Sequence, residues 1–118
     1  MDKAQNSKRY DLDVRTEKFA KDVRYFVKIL PRTVVNLEDV KQLIRSSGSI
    51  GANYIEACEC LSKKDFLMRI KISRKEAKET CYWLNLIDVN EGSEKERMRL
   101  LQESTELMKI FGSIVSKN

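Results

Sequence analysis

The chain has 118 residues, of which 42% are hydrophobic and 35% are charged, a composition typical of one globular domain and too apolar for a disordered chain. Four glycines and one proline are too few for the many turns of a β fold, so long helices are expected. The absence of histidine removes the commonest general base and zinc ligand, which argues against an enzyme or a metal protein.

The cysteines and the charge distribution indicate the compartment and the class of partner. Cys58, Cys60 and Cys81 lack a CxxC spacing, so we expect buried, reduced thiols. With no signal peptide and no apolar run near 18 residues, the sequence predicts a cytoplasmic protein without a membrane partner. The net charge is +5, and the basic residues concentrate in 1–32 and 62–80. Two basic segments fit an anionic partner such as RNA, although solvated helix exteriors would give the same pattern.

Helical periodicity predicts helices over about 13–30 and 36–60. In the first, Phe19, Val23, Phe26, Val27 and Leu30 recur at helical spacing, Asp11 and Asp13 are candidate N-caps, and Pro31 ends the run. The second begins near Asn36. At about 100° per residue its predicted core stripe consists of Val40, Leu43, Ile44, Ser47, Gly51, Tyr54, Ile55 and Cys58.

Two further helices are predicted over about 63–89 and 94–116. Ser62 with Asp65 and Ser93 with Glu96 resemble capping boxes, and Gly92 is a candidate left-handed C-cap. The third helix has an inner stripe of Phe66, Leu67, Ile70, Ala77, Cys81 and Leu84. Short connections favour antiparallel neighbours. The whole chain, 1–118, is therefore predicted to be a single all-α domain, an antiparallel up-down-up-down four-helix bundle.

Within the second predicted helix lies a segment rich in small residues, 45–53, with two glycines and three serines. Because the apolar period continues through it unshifted, we expect one continuous helix on which the small residues let another backbone approach closely. A break with a serine cap is the alternative. Opposite the core stripe lies a polar line of Arg45, Ser49, Asn53 and Glu56. It predicts a structural network or a subunit interface. Catalysis with Glu56 as base and Arg45 as anion clamp would lack a nucleophile and a metal cluster.

The third helix carries a second apolar stripe, opposite the inner one, formed by Met68, Ile72, Trp83 and Leu86. A helix in an isolated bundle needs one apolar face, and an exposed patch with Trp and Met marks a partner surface. The sequence therefore predicts self-association through these four residues.

The segments RSSGSIGANYIEA (45–57) and SKKDFLMRIKISRKEAKETCYWL (62–84) resemble the four-helix-bundle proteins encoded in intervening sequences of bacterial 23S ribosomal RNA genes. The matching positions are Arg45, Ser49-Ile50, Asn53, Glu56, Ser62 to Phe66, Glu79 and Trp83-Leu84. The resemblance implies an antiparallel four-helix bundle assembled as a ring-shaped homopentamer, and adds Glu79 to the polar network. It implies no biochemical activity, although a more distant branch accompanies reverse transcriptases and binds protein and nucleic acid.

The leading hypothesis from the sequence is a non-enzymatic, oligomeric protein that binds RNA through basic outer helices. A pentamer would carry a charge of about +25, an attractive field for a polyanion. The candidate contacts are Lys63, Lys64, Arg69, Lys71, Lys75 and Lys78, supported by Lys18, Lys21, Arg24 and Lys28. A protein-binding adaptor without a nucleic-acid role is the alternative. No cofactor, metal, catalytic residue or small-molecule substrate is expected.

Overall fold

A computed structural model describes the backbone of residues 3–118 and the side chains of residues 11–118. Its helices are α1 (Lys3–Val27), α2 (Val34–Glu59), α3 (Lys63–Leu86) and α4 (Glu94–Ser116), with a 3-10 turn (Glu91–Ser93) before α4. The part of the chain that is described contains no strand, so the all-α prediction is confirmed. α2 packs against α1 and α3, and α4 packs against α3 and α1, so the four helices enclose one core.

The first two helices begin earlier than the sequence predicted. α1 starts at Lys3 and not near residue 13, because the prediction relied on apolar residues and no proline or glycine interrupts the polar segment before them. Asp11 and Asp13 therefore lie inside α1 and do not cap it. The start of α2 is Val34, because Thr33 is the N-cap residue: its side chain accepts a hydrogen bond from the backbone N–H of Asn36.

Of the caps and ends predicted around α3, only the N-cap is correct. Ser62 caps the helix, since its hydroxyl accepts a hydrogen bond from the N–H of Asp65 at 3.1 Å. The helix ends at Leu86, before the predicted residue 89. Gly92 is not a left-handed cap, because no glycine has a positive φ. Ser93 makes no side-chain capping bond, since its backbone is already helical.

The small-residue segment of α2 is helical throughout, as predicted, and at Gly51 it packs against Thr16 of α1. A Cβ added to Gly51 would lie 2.8 Å from Oγ1 of Thr16 and 3.1 Å from its Cβ. The Thr16 hydroxyl donates to the carbonyl of Leu12 at 2.7 Å, so it is fixed in this position. Gly51 thus allows the contact between the two helices.

The buried face of α2 is rotated relative to the predicted stripe. Ile55 and Cys58 are exposed, whereas Ser46, Ile50 and Ala57 are buried. The rotation is possible because Ser46 is satisfied inside the core: its hydroxyl accepts a hydrogen bond from Thr80 of α3 at 2.8 Å. The expectation of buried thiols is wrong for Cys58. Cys60 and Cys81 are half-buried, and all three cysteines are free.

Candidate functional site

The polar line of α2 is tied to α3 through Arg45. Its Nη1 donates to Oε2 of Glu76 at 3.1 Å, and its Nη2 donates to Oε1 of Glu79 at 2.6 Å. The Glu76 side chain is only 8% exposed. A buried carboxylate is costly without a partner, so Arg45 stabilises the position of Glu76 as well as joining the helices. The partners of Arg45 therefore belong to another helix of the same chain.

Glu79 extends this network to the aromatic residues at the end of α3. The indole Nε1 of Trp83 donates to Oε1 of Glu79 at 3.3 Å. The hydrogen bond from Arg45 lowers the pKa of Glu79; burial opposes this, and the bond from Trp83 adds to it. Trp83 in turn contacts Tyr82 edge to face, with ring centroids 5.0 Å apart and an angle of 74°. Glu79 is thus held ionised between a cation and an indole.

The other members of the predicted polar line have separate roles. Asn53 donates to the backbone carbonyl of Ser49 at 2.9 Å, and its side-chain oxygen accepts from Nη1 of Arg69 at 3.1 Å. The carboxylate of Glu56 is exposed and forms no ion pair with any residue whose side chain is described. The structure therefore joins Arg45 to Glu79 and Asn53 to Arg69, but it does not bring Glu56 to Arg45.

The outer face of α3 carries a row of four lysines. Lys64, Lys71, Lys75 and Lys78 are exposed and lie within about 60° of one direction around the helix. Lys63 is exposed beside the row. Arg69, also a candidate contact from the sequence, lies on a different face, where it bonds to Asn53.

The cations of α3 are among the basic side chains without an ion pair in the described part of the chain, a group that also includes Arg24, Lys28 and Lys109. None of its seven Lys and Arg side chains forms an ion pair within the described residues, whereas Lys18, Lys21 and Lys41 lie 2.7, 3.6 and 3.6 Å from carboxylates. Of the three acids on α3, Glu76 and Glu79 are bound by Arg45, which leaves Asp65. The row is therefore a region of uncompensated positive charge.

The second apolar stripe of α3 is partly accessible. Met68 is 49% exposed and Leu86 is 46% exposed, whereas Ile72 and Trp83 are half-buried. Trp83 packs against the core of its own chain. The stripe thus has two exposed apolar side chains at its ends and two half-buried residues between them, of which Trp83 also supports the bundle.

Residues 10–113 match the family model described as 23S rRNA-intervening sequence protein. The chain belongs to this family. It is also similar to a crystal structure of a protein with unknown function from the S23 ribosomal protein family of Bacteroides thetaiotaomicron VPI-5482. The two are 32% identical, the match covers 88% of this chain and 97% of the other, and the TM-score is 0.76. No curated protein matches. The family membership confirms the resemblance found in the sequence.

Two further properties of the described residues bear on function: whether they could hold a metal ion and whether a helix could cross a membrane. Between residues 11 and 118, no cluster of three or more Cys, Asp or Glu side chains has the arrangement of a metal site. Over the same described part of the chain, no helix combines the length and the apolarity that crossing a membrane requires.

Glu76 is the site residue that sequence analysis missed. It faces α2 together with Ser73 and Thr80, and all three are buried. Their spacing of three and four residues is the helical period, but polar side chains at such spacing usually indicate a solvated face. The signal that could have identified them is Ser46 on α2, a small residue opposite a polar stripe.

Proposed function

We propose that this protein is a non-enzymatic RNA-binding subunit of a homo-oligomer. RNA binds to the row of lysines on the outer face of α3, formed by Lys64, Lys71, Lys75 and Lys78. In the proposed assembly, antiparallel up-down-up-down bundles form a ring-shaped homopentamer in the cytoplasm, a reducing compartment that suits three free cysteines.

The observation that carries the proposal is the uncompensated charge of α3. Residues 63–86 contain seven Lys or Arg and three Asp or Glu, a net charge of +4. Arg45 binds two of those acids from the α2 side, and no lysine of the row forms an ion pair within the described residues, so the row can bind phosphate. Cations arranged along one helix face are the electrostatic footprint of a nucleic-acid surface.

Self-association is supported by the apolar residues beside this row. Met68 and Leu86 are exposed and lie on the same helix as the lysines, about 27 Å apart at 1.5 Å per residue. A second copy that covers them would leave the lysines at the edge of the contact. Repetition around a ring would then place several basic rows on one particle, which strengthens binding to a long polyanion.

Purification at low salt, with light scattering and the ratio of absorbance at 260 and 280 nm, tests both parts. We expect a particle several times the chain mass of 13.8 kDa that carries nucleic acid removable by ribonuclease. Met68→Asp with Leu86→Asp should yield the 13.8 kDa chain with unchanged helix content. Because these residues are exposed, the double variant tests the interface more directly than a change at Trp83.

Two results would contradict the proposal. A 13.8 kDa particle over a wide range of concentrations would refute self-association. An absence of binding to both single-stranded and structured RNA at micromolar protein, or an affinity that does not fall with added salt, would refute the RNA surface. A stoichiometric protein partner without nucleic acid would instead support the adaptor, which the exposed Met68 and Leu86 also suit.

A further inference from the structure

We propose that the α3 surface is built for single-stranded RNA, with one unpaired base stacked on the ring of Tyr82 while Lys75 and Lys78 contact the adjoining phosphates. This inference rests on the proposed function, because it specifies the form of RNA that the lysine row binds. Single-strand surfaces combine a basic track with an aromatic platform, and both elements occur here on one helix.

The platform is an exposed ring held in place by its neighbours. Tyr82 is 57% exposed. It contacts Trp83 edge to face at 5.0 Å, and Trp83 is anchored through its indole N–H to Glu79, which Arg45 binds. An exposed ring that is already oriented loses little conformational entropy when a base stacks on it. The Arg45 network therefore positions the platform as well as joining α2 to α3.

The lysines adjoin the platform on the same face. Lys78 precedes Tyr82 by four residues and Lys75 precedes it by seven, so the three lie one and two turns apart along the helix. With Arg45, Glu76 and Glu79 they line a shallow hollow between α2 and α3. The two carboxylates in this hollow are bound to Arg45, which limits their repulsion of a phosphate.

Tyr25 on α1 provides an internal comparison. It is 66% exposed and also lies among basic residues, but Nζ of Lys28 lies over its ring, 5.2 Å from the centroid. A ring face occupied by a cation is less available to a base. The two tyrosines are similarly exposed but differ in the availability of a ring face, which stacking requires. Tyr25→Ala is therefore a matched control for Tyr82→Ala.

The experiment measures affinity at one salt concentration for three probes: a 12-nucleotide single-stranded RNA, a blunt RNA duplex of equal length, and a 12-unit abasic sugar-phosphate strand. We expect Tyr82→Ala to weaken binding of the single strand about 5- to 150-fold, since stacking of one base contributes about 1–3 kcal/mol. Affinities for the duplex and the abasic strand should change less than about twofold, because they depend on phosphate contacts. Tyr82→Phe should retain affinity, and Tyr25→Ala should match the unaltered protein.

Equal losses for all three probes, or no loss for the single strand, would overturn the stacking site. If salt-dependent RNA binding persists in Tyr82→Ala without change, the stacking site fails and the lysine row stands. If no RNA binds to the unaltered protein, both fail. A change of oligomeric state in Tyr82→Ala with unchanged RNA affinity would show instead that the ring is a subunit contact.

Discussion

Arg45 on α2 holds the buried carboxylate of Glu76 on α3, with 3.1 Å between Nη1 and Oε2. The side chain of Glu76 is 8% exposed and that of Arg45 is 45% exposed, so the pair connects the interior to the surface. The same guanidinium binds Glu79. One arginine therefore binds two acids of α3, and the stability of the α2–α3 contact depends on this side chain.

Replacing this arginine should destabilise the protein. Arg45→Met leaves the Glu76 carboxylate buried without its partner, and we expect the free energy of unfolding, measured by urea denaturation, to fall by about 1–3 kcal/mol. Lys41→Met is the matched control, because Lys41 pairs with Glu38 at 3.6 Å with both side chains 71% exposed; its effect should stay below about 0.5 kcal/mol. The account of Glu76 is wrong if Arg45→Met is no more destabilising than the control, or if adding Glu76→Met does not recover stability.

The close approach of α1 and α2 predicts opposite effects at two glycines of one helix. Gly51→Ala places a Cβ 2.8 Å from Oγ1 of the buried Thr16 and must move the helices apart, at a cost of about 1–3 kcal/mol. At Gly48 the nearest atom to an added Cβ is Nη2 of Arg24 at 3.6 Å, an ordinary contact. Gly48→Ala should therefore stabilise the protein by about 0.5–1 kcal/mol through helix propensity. Thermal unfolding of both variants checks the prediction, and a shift of the same sign in both would contradict it.

The ion pairs predict how stability depends on pH. The hydrogen bond from Arg45 lowers the pKa of Glu79. The pKa of Asp22 is also lowered: burial alone would raise it, but hydrogen bonds from Lys18 and Arg99 outweigh the effect of burial. A carboxyl whose pKa is lower in the folded state contributes stability above its unfolded pKa of about 4, and this contribution is lost as the pH falls through the folded value.

We therefore expect the free energy of unfolding to be nearly constant between about pH 6 and 7.5, where a chain without histidine has no titrating side chain of ordinary pKa, and to decline below about pH 4.5. The decline should be shallower in Arg45→Met, because Glu79 then lacks the hydrogen bond that lowers its pKa. Urea denaturation at a series of pH values measures both slopes. Equal slopes in the two proteins, or stability of the unaltered protein that rises with acid, would be inconsistent with these ion pairs.

The sequence was sufficient for the four helices because their apolar residues recur at the helical period. It also predicted that another backbone approaches the small-residue segment 45–53, although not that the contact lies between Gly51 and Thr16. The sequence did not predict which face of α2 is buried. The pattern of apolar residues places Ser46 outside the core because it is polar, whereas in the structure its hydroxyl accepts a hydrogen bond from Thr80 inside the core. Arg45 was assigned to a polar network, but Glu76 was not identified as its partner. A pairing between helices depends on their relative rotation, which the pattern of one helix does not specify.

The most direct test of the RNA surface compares the salt dependence of binding in two triple variants with the same loss of charge. Lys71→Gln, Lys75→Gln and Lys78→Gln remove unpaired lysines of the row, whereas Lys18→Gln, Lys21→Gln and Lys41→Gln remove lysines that are paired with acids. For a single-stranded RNA, the slope of log K against log salt should become less steep by about 2 in the first variant, since each phosphate contact contributes about 0.7. It should change by less than about 0.5 in the second. Equal changes in both variants would show that net charge alone attracts RNA, and an unchanged slope in the first would contradict the assignment of the surface to α3.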